Sequence, residues 1–166
     1  MLFSAEKMSV YKKICSLSFC AVFLVSCGAT SAMKDVFTVM TNASISVTSS
    51  DNVNPDLNGR PSPILFRLYE LKSNSAFLNA DFFALYDSGT GELATDYVSH
   101  KDWLLQPGET VEISNRLSDQ TRYLGVMAAY RDINNAVWRN VIEVTPDEDL
   151  NLTILLTNNE LKLATK

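Results

Sequence analysis

Along much of the chain, hydrophobic and polar residues alternate with a period of two. Val39, Thr41, Ala43, Ile45 and Val47 alternate with Met40, Asn42, Ser44, Ser46 and Thr48, which predicts a strand with one buried and one solvated face. Ile64 to Leu71 places Ile64, Phe66 and Leu68 on one face and Arg67 on the other. Thr110 to Ser114 is a short strand with Val111 and Ile113 inward, entered from the turn dipeptide Pro107-Gly108. Arg122 to Tyr130 is apolar or small on both faces, the pattern of a strand at the centre of a packed sheet. In Val137 to Val144, Trp138, Ile142 and Val144 share a face. In Leu150 to Thr157, Leu150, Leu152, Ile154 and Leu156 share one. Asn158-Asn159 suits a tight hairpin turn, after which Leu161 and Leu163 run back. About seven or eight strands at this spacing predict a mainly β, two-layer sandwich.

One segment breaks the period. From Ser75 to Asp87, Leu78, Phe82, Leu85 and Tyr86 fall at helical spacing. Ser75 and Asp81 are candidate caps for a helix start, and Gly89 for an end. The stretch predicts one or two short accessory helices packed on the outside of the sandwich. Thr95 to Leu105 is ambiguous, either a regular strand or a helical turn before Trp103.

Ser49 to Pro63 stands apart. It holds three prolines, a glycine and almost no apolar side chain. Such a segment does not bury itself and reads as a surface loop. Loops longer than about 12 residues are uncommon in compact domains and are often functional. Its prolines lower the ordering cost of binding. A partner loop and a tolerated insertion both fit the composition.

The N-terminal piece is of another kind. Lys7, Lys12 and Lys13 precede an apolar run from Ile14 to Val25. Basic residues followed by roughly 7 to 15 apolar ones read as an export signal. Met8 to Ser26 is already a complete signal, so Met8 is an alternative start. Leu24-Val25-Ser26-Cys27 resembles the bacterial lipobox. The resemblance implies cleavage before Cys27, a diacylglycerol thioether on its sulfur and an acyl group on its new amine. More than one chain makes the anchor stable. Gly28 stands where an aspartate typically retains lipoproteins in the inner membrane, so the outer membrane is the expected address. The expected organisation is a signal over residues 1–26, a lipidated tether over 27–35 and a β-sandwich domain over 36–166.

The split changes what composition says. The whole chain has 166 residues, three cysteines and a net charge of -5. Cys15 and Cys20 belong to the signal, and lipid caps Cys27. No intramolecular disulfide and no cysteine-rich metal site are then expected. Without the basic signal the chain is more acidic still, which argues against nucleic acid as a partner.

Several pieces together resemble one family. They are the lipobox at Cys27, Gly59-Arg60-Pro61-Ser62-Pro63 leading into Ile64-Leu65-Phe66-Arg67-Leu68-Tyr69-Glu70-Leu71, and Ser75-Ala76-Phe77. Pro107-Gly108-Glu109, Leu124 to Asp132 and Trp138-Arg139 follow in the same order. The set is similar to the outer-membrane lipoprotein of the type VI secretion system, the TssJ family. The resemblance implies a transthyretin-like sandwich with extra helices and a prominent loop between the first two strands. It implies a scaffold facing the periplasm, with no catalysis and no cofactor beyond the lipid on Cys27. The implied partner is the C-terminal periplasmic domain of the inner-membrane protein TssM, contacted through that first loop. On this chain the contact falls on Asn54, Pro55, Asp56, Leu57, Asn58, Gly59 and Arg60. Leu57 is the candidate apolar anchor, and Asp56 and Arg60 are candidate charged contacts.

Other residues carry weaker signals. His100 lies beside Ser99 and Asp102, but a triad needs convergence in space that sequence neighbours on a strand lack. Asp147-Glu148-Asp149 is calcium-friendly in composition and reads as a solvated turn. Trp138 is expected to fill the core, and Arg67, Arg131 and Arg139 to pair with nearby acids, Glu70 among them for Arg67. The competing function is a lipoprotein that binds a small soluble ligand in a pocket lined by exposed aromatics.

Overall fold

A computed structural model describes residues 41–87 and 90–165. The export signal, Cys27, Gly28, the tether, Val39, Met40 and Gly89 lie outside the described residues. No helix among the described residues is long and apolar enough to cross a membrane.

Eight strands form two four-stranded sheets. They are β1 (Asn42–Ser49), β2 (Ile64–Leu71), β3 (Tyr97–Leu105), β4 (Thr110–Arg116), β5 (Tyr123–Ala128), β6 (Arg139–Glu143), β7 (Leu150–Leu156) and β8 (Leu161–Thr165). One sheet runs β4-β1-β7-β8 and the other β3-β2-β5-β6. Neighbouring strands are antiparallel except β1 and β7, which are parallel. Between the sheets, Ala43, Ile45 and Val47 of β1 meet Ile64, Phe66 and Leu68 of β2, Leu124 and Val126 of β5, and Leu152, Ile154 and Leu156 of β7. The alternation read from the sequence is the alternation that is buried. The outer face of β1 stays polar: Ser46 Oγ donates to Glu112 at 2.6 Å, and Thr48 pairs with Thr110 at 3.0 Å.

The second sheet is covered on both faces, hence the all-apolar pattern of β5. Between β2 and β3 the chain makes three short helices, α1 (Ser75–Asn79), α2 (Phe82–Asp87) and α3 (Thr90–Leu93), and a 3₁₀ turn at Ala94–Asp96. They pack Phe77, Leu85 and Leu93 onto Tyr69, Leu71 and Met127, the outward residues of β2 and β5. The expected continuous stripe is not what is buried. The backbone turns extended at Ala80 and splits the segment, so Phe77 and Leu85 point inward while Leu78 and Tyr86 are exposed. Asp81 does act as a cap, its Oδ1 accepting from Ala84 N at 3.0 Å. Asn74, not Ser75, precedes α1, and it makes no side-chain cap bond. The ambiguous stretch resolves into both readings in turn: a helical turn ends at Asp96, and a strand follows, bulged against β2 between Tyr97 and Ser99.

Gly125 shows how tightly the helices sit. A Cβ there would lie 3.0 Å from Leu71 Cδ1 and 3.0 Å from Phe77 Cζ. Gly125→Val is therefore expected to push α1 off the sheet and cost about 1–3 kcal/mol, the range for overpacking a close-packed site. A urea midpoint equal to that of the parent would show that α1 does not depend on this glycine.

Strand direction organises the poles. β1, β3, β5 and β7 end at one pole, and β2, β4, β6 and β8 start from it. That pole collects the β1–β2, β3–β4, β5–β6 and β7–β8 connections. The chain enters β1 at the opposite pole, beside the acidic turn before β7 and below the helical insertion.

Candidate functional site

The β1–β2 loop crowns the first pole on an ordered base. Ser50 N donates to Leu156 O at 2.8 Å, and Asn54 N to Asn158 O at 3.0 Å. Val53 is completely buried in the main core, and Ser62 N closes onto its carbonyl at 3.1 Å. The composition suggested a loop with nothing to bury, and its base corrects that: one valine at the right position suffices as a plug. Asn54, expected to meet a partner, is only 4% exposed. Its Nδ2 donates to Pro63 O at 2.9 Å, and its Oδ1 accepts from Arg131 N at 2.8 Å. It braces the loop against the β5–β6 connection, with φ at 48°.

Beyond Asn54 the tip is a self-contained turn. Asp56 N donates to Arg60 O at 2.8 Å, and Gly59 N to Asp56 O at 2.9 Å. Asp56 Oδ1 accepts from Asn58 N at 2.8 Å and Arg60 N at 3.0 Å. Its Oδ2 takes the Arg60 guanidinium through Nε at 2.8 Å and Nη2 at 2.7 Å. These bonds to Arg60 hold the Asp56 carboxyl below the usual carboxylate range. Gly59 sits at φ 77°, a left-handed conformation that glycine adopts without steric cost. Asp56 and Arg60 thus satisfy each other first and shape the tip. Leu57 is fully exposed at its end.

A groove of about 630 Å³ runs beside the tip. One wall is Asn54 to Asn58, and the other is Tyr130, Arg131 and Asp132 with Asn158 and Asn159 of the β7–β8 turn. An isolated parallel bridge between Val137 and Glu160 ties the β5–β6 connection to β8's approach, with Leu161 N donating to Val137 O at 2.9 Å. The β7–β8 turn itself was legible from Asn158-Asn159. Its meeting with the first loop was not, because that depends on strand order.

Within the groove the polar groups differ in how far they are satisfied. Both Asp132 oxygens accept from Asn135 Nδ2, at 2.9 and 3.0 Å. The expected pairing of Arg131 with an acid does not form. Its exposed guanidinium makes no hydrogen bond or ion pair among the described residues and acts on Asp56 only at longer range. The Tyr130 hydroxyl is buried with no hydrogen-bond partner among the described residues, and desolvation pushes its pKa up.

The remaining polar clusters are structural. Arg67 pairs with Asp102 across β2 and β3, at 2.6 and 2.7 Å, and not with Glu70. Residues three apart on a strand face opposite ways. Arg67 Nη1 also donates to Leu85 O at 2.8 Å and Tyr86 O at 3.1 Å, which docks α2. The Arg67 bonds hold the Asp102 carboxyl low. Arg139 likewise spans Phe77 O and Ala80 O at 3.0 and 2.6 Å and stacks on Trp138, where an acid was expected. Trp138 itself is half-buried at the edge of both apolar clusters. His100 bonds Tyr97, Ser99 bonds Glu70, and Asp102 bonds Arg67, so the three do not converge. Asp147, Glu148 and Asp149 are exposed, and no group of three or more potential metal ligands gathers among the described residues.

Comparison with known proteins places the chain. Residues 41–159 match the type VI secretion lipoprotein family (VasD, EvfM, TssJ). The crystal structure of the lipoprotein TssJ1 from Pseudomonas aeruginosa is 39% identical, with a TM-score of 0.74 over 76% of this chain and 96% of that one. Serratia marcescens Lip, a membrane-bound component of the type VI secretion system, shares the fold at 24% identity, with a TM-score of 0.69 over 75% and 97%. A chain in a structure described as a type VI membrane complex is 30% identical, with a TM-score of 0.66 over 75% and 98%. No curated protein sequence matches the chain. This eight-stranded sandwich, with its helical insertion and long first loop, belongs to the type VI secretion lipoprotein family, as TssJ does.

Proposed function

We propose that the protein is a scaffold of the secretion system's trans-envelope complex and docks the periplasmic C-terminal domain of TssM through the tip of the β1–β2 loop. One observation carries the reading. A stiff, self-bonded turn holds a fully exposed Leu57 at the pole opposite the entry of the chain. A rigid apolar anchor loses little entropy on binding. A structure described by its TssM C-terminal domain, from EAEC, contains a chain 28% identical to this one, with a TM-score of 0.64, which supports this partner.

The anchor completes the geometry. Cys27, carrying the lipid as its only non-protein group, lies about 14 residues before β1, a reach of roughly 46 Å when extended. The lipid holds the domain at the outer membrane, with Gly28 as the sorting residue, and the domain faces the periplasm. The reading is assembly rather than catalysis. A small-ligand carrier fits less well, because the groove has one aromatic among asparagines and aspartates, where ligand pockets are mostly apolar.

The test uses the lipidated full chain in detergent, titrated with the periplasmic C-terminal domain of the cognate TssM. Leu57→Asp, or a Gly-Ser replacement of residues 55–60 that spares Asn54, is expected to abolish detectable binding with the fold kept. Binding equal to the parent's would overturn the loop assignment. For the anchor, Cys27→Ser should leave the protein unlipidated and out of the outer-membrane fraction. Normal fractionation of that variant would overturn lipid anchoring.

A further inference from the structure

The first loop supplies only one wall of the groove, and the chemistry of the other wall is unabsorbed by the docking reading. Of the charged groups lining it, Asp56 is engaged by Arg60 and Asp132 by Asn135. Arg131 alone offers an exposed guanidinium with no bonded partner among the described residues. Its backbone is meanwhile held in place, because Arg131 N donates to the buried Asn54. A guanidinium on a fixed backbone presents a planar fork of donors suited to a carboxylate. Beside it, Tyr130 forms part of the wall with its hydroxyl turned out of reach of solvent. Leu57, at the far lip, provides apolar surface.

We infer that the groove receives an extended acidic segment of the docked periplasmic domain, whose carboxylate pairs with Arg131 while a neighbouring apolar side chain packs on Leu57. The inference rests on the docking reading and deepens it: the loop is one jaw of a clamp, and the β5–β6 connection is the other. Lining by asparagines from both walls suits a bound main chain, which needs donors and acceptors along its length.

The experiment titrates the full lipidated chain with the periplasmic C-terminal domain of the cognate TssM at low and high salt. Arg131→Gln is expected to weaken binding about 10-fold and Arg131→Glu about 100-fold, the range for losing and then reversing a charge-assisted contact. The salt dependence should flatten in Arg131→Gln. Tyr130→Phe is the control at the groove wall: it removes an unpaired buried group, so the free protein should melt no lower than the parent and should bind like it. If Arg131→Glu binds like the parent and the Gly-Ser tip replacement does not bind, the groove inference is overturned and the loop reading stands. If the tip replacement also binds like the parent, or the parent fails to bind, both are overturned.

Discussion

Glu70→Leu should destabilise the domain by about 3–5 kcal/mol, the range for stranding buried polar partners of a charged group. Glu70 sits at the end of β2, 7% exposed, between the sheets. Its Oε1 accepts from Ser99 Oγ and Asn115 Nδ2, both at 3.1 Å. Its Oε2 accepts from Ser118 N at 2.9 Å and Thr121 Oγ1 at 2.7 Å. Those donors come from β3, β4 and the β4–β5 connection, so one carboxylate ties both sheets at the pole where the chain enters. Leucine fills similar space and satisfies none of them. Glu70→Gln keeps one oxygen and turns an N–H₂ toward donors. The Thr121 hydroxyl can rotate to accept, but Ser118 N cannot, so the expected cost is about 1–3 kcal/mol. Urea unfolding with unchanged slope reads both. A Glu70→Leu midpoint equal to the parent's would show that the network contributes nothing net.

Asn54→Ala should cost about 2–4 kcal/mol and weaken partner binding at the same time. The substitution strands Pro63 O and Arg131 N, each worth about 1–3 kcal/mol when buried and unpaired. It also places alanine at φ 48°, a left-handed conformation that asparagine tolerates better. Asn54→Asp retains an acceptor for Arg131 N but faces Pro63 O with a carboxylate, so it should recover part of the binding and little of the stability. The joint loss follows from topology: Asn54 is the bond between the two walls of the groove. Loss of stability with binding unchanged would mean that the walls act independently.

These residues show where sequence reasoning reaches. Leu57 was legible as an exposed side chain because a lone aliphatic residue in a polar loop has nowhere to bury itself, and the structure leaves it fully exposed. Asn54 read as part of the same contact surface, yet it is buried, since a polar side chain in a loop can serve the backbone as readily as a partner. Asp56 and Arg60 read as charged contacts and instead bond each other at the tip. Arg67 read as Glu70's partner, because sequence distance does not reveal which strand lies alongside. Its acid, Asp102, is 35 residues away.

Period-two alternation determined β1, β2, β4 and β7 with their inward faces, and together with the all-apolar β5 the two-layer class, because a half-buried strand writes its burial directly into its residues, while β3 stayed ambiguous. The break in that period between Ser75 and Asp87 announced helices for the same reason. Tertiary structure decided which strands are neighbours, that the insertion covers the β3-β2-β5-β6 sheet, and that Arg131 and Tyr130 stand across a groove from Leu57. Those facts rest on long-range pairing between segments whose own residues carry no record of each other. A strand's pattern states which face is buried and leaves open which strand buries it.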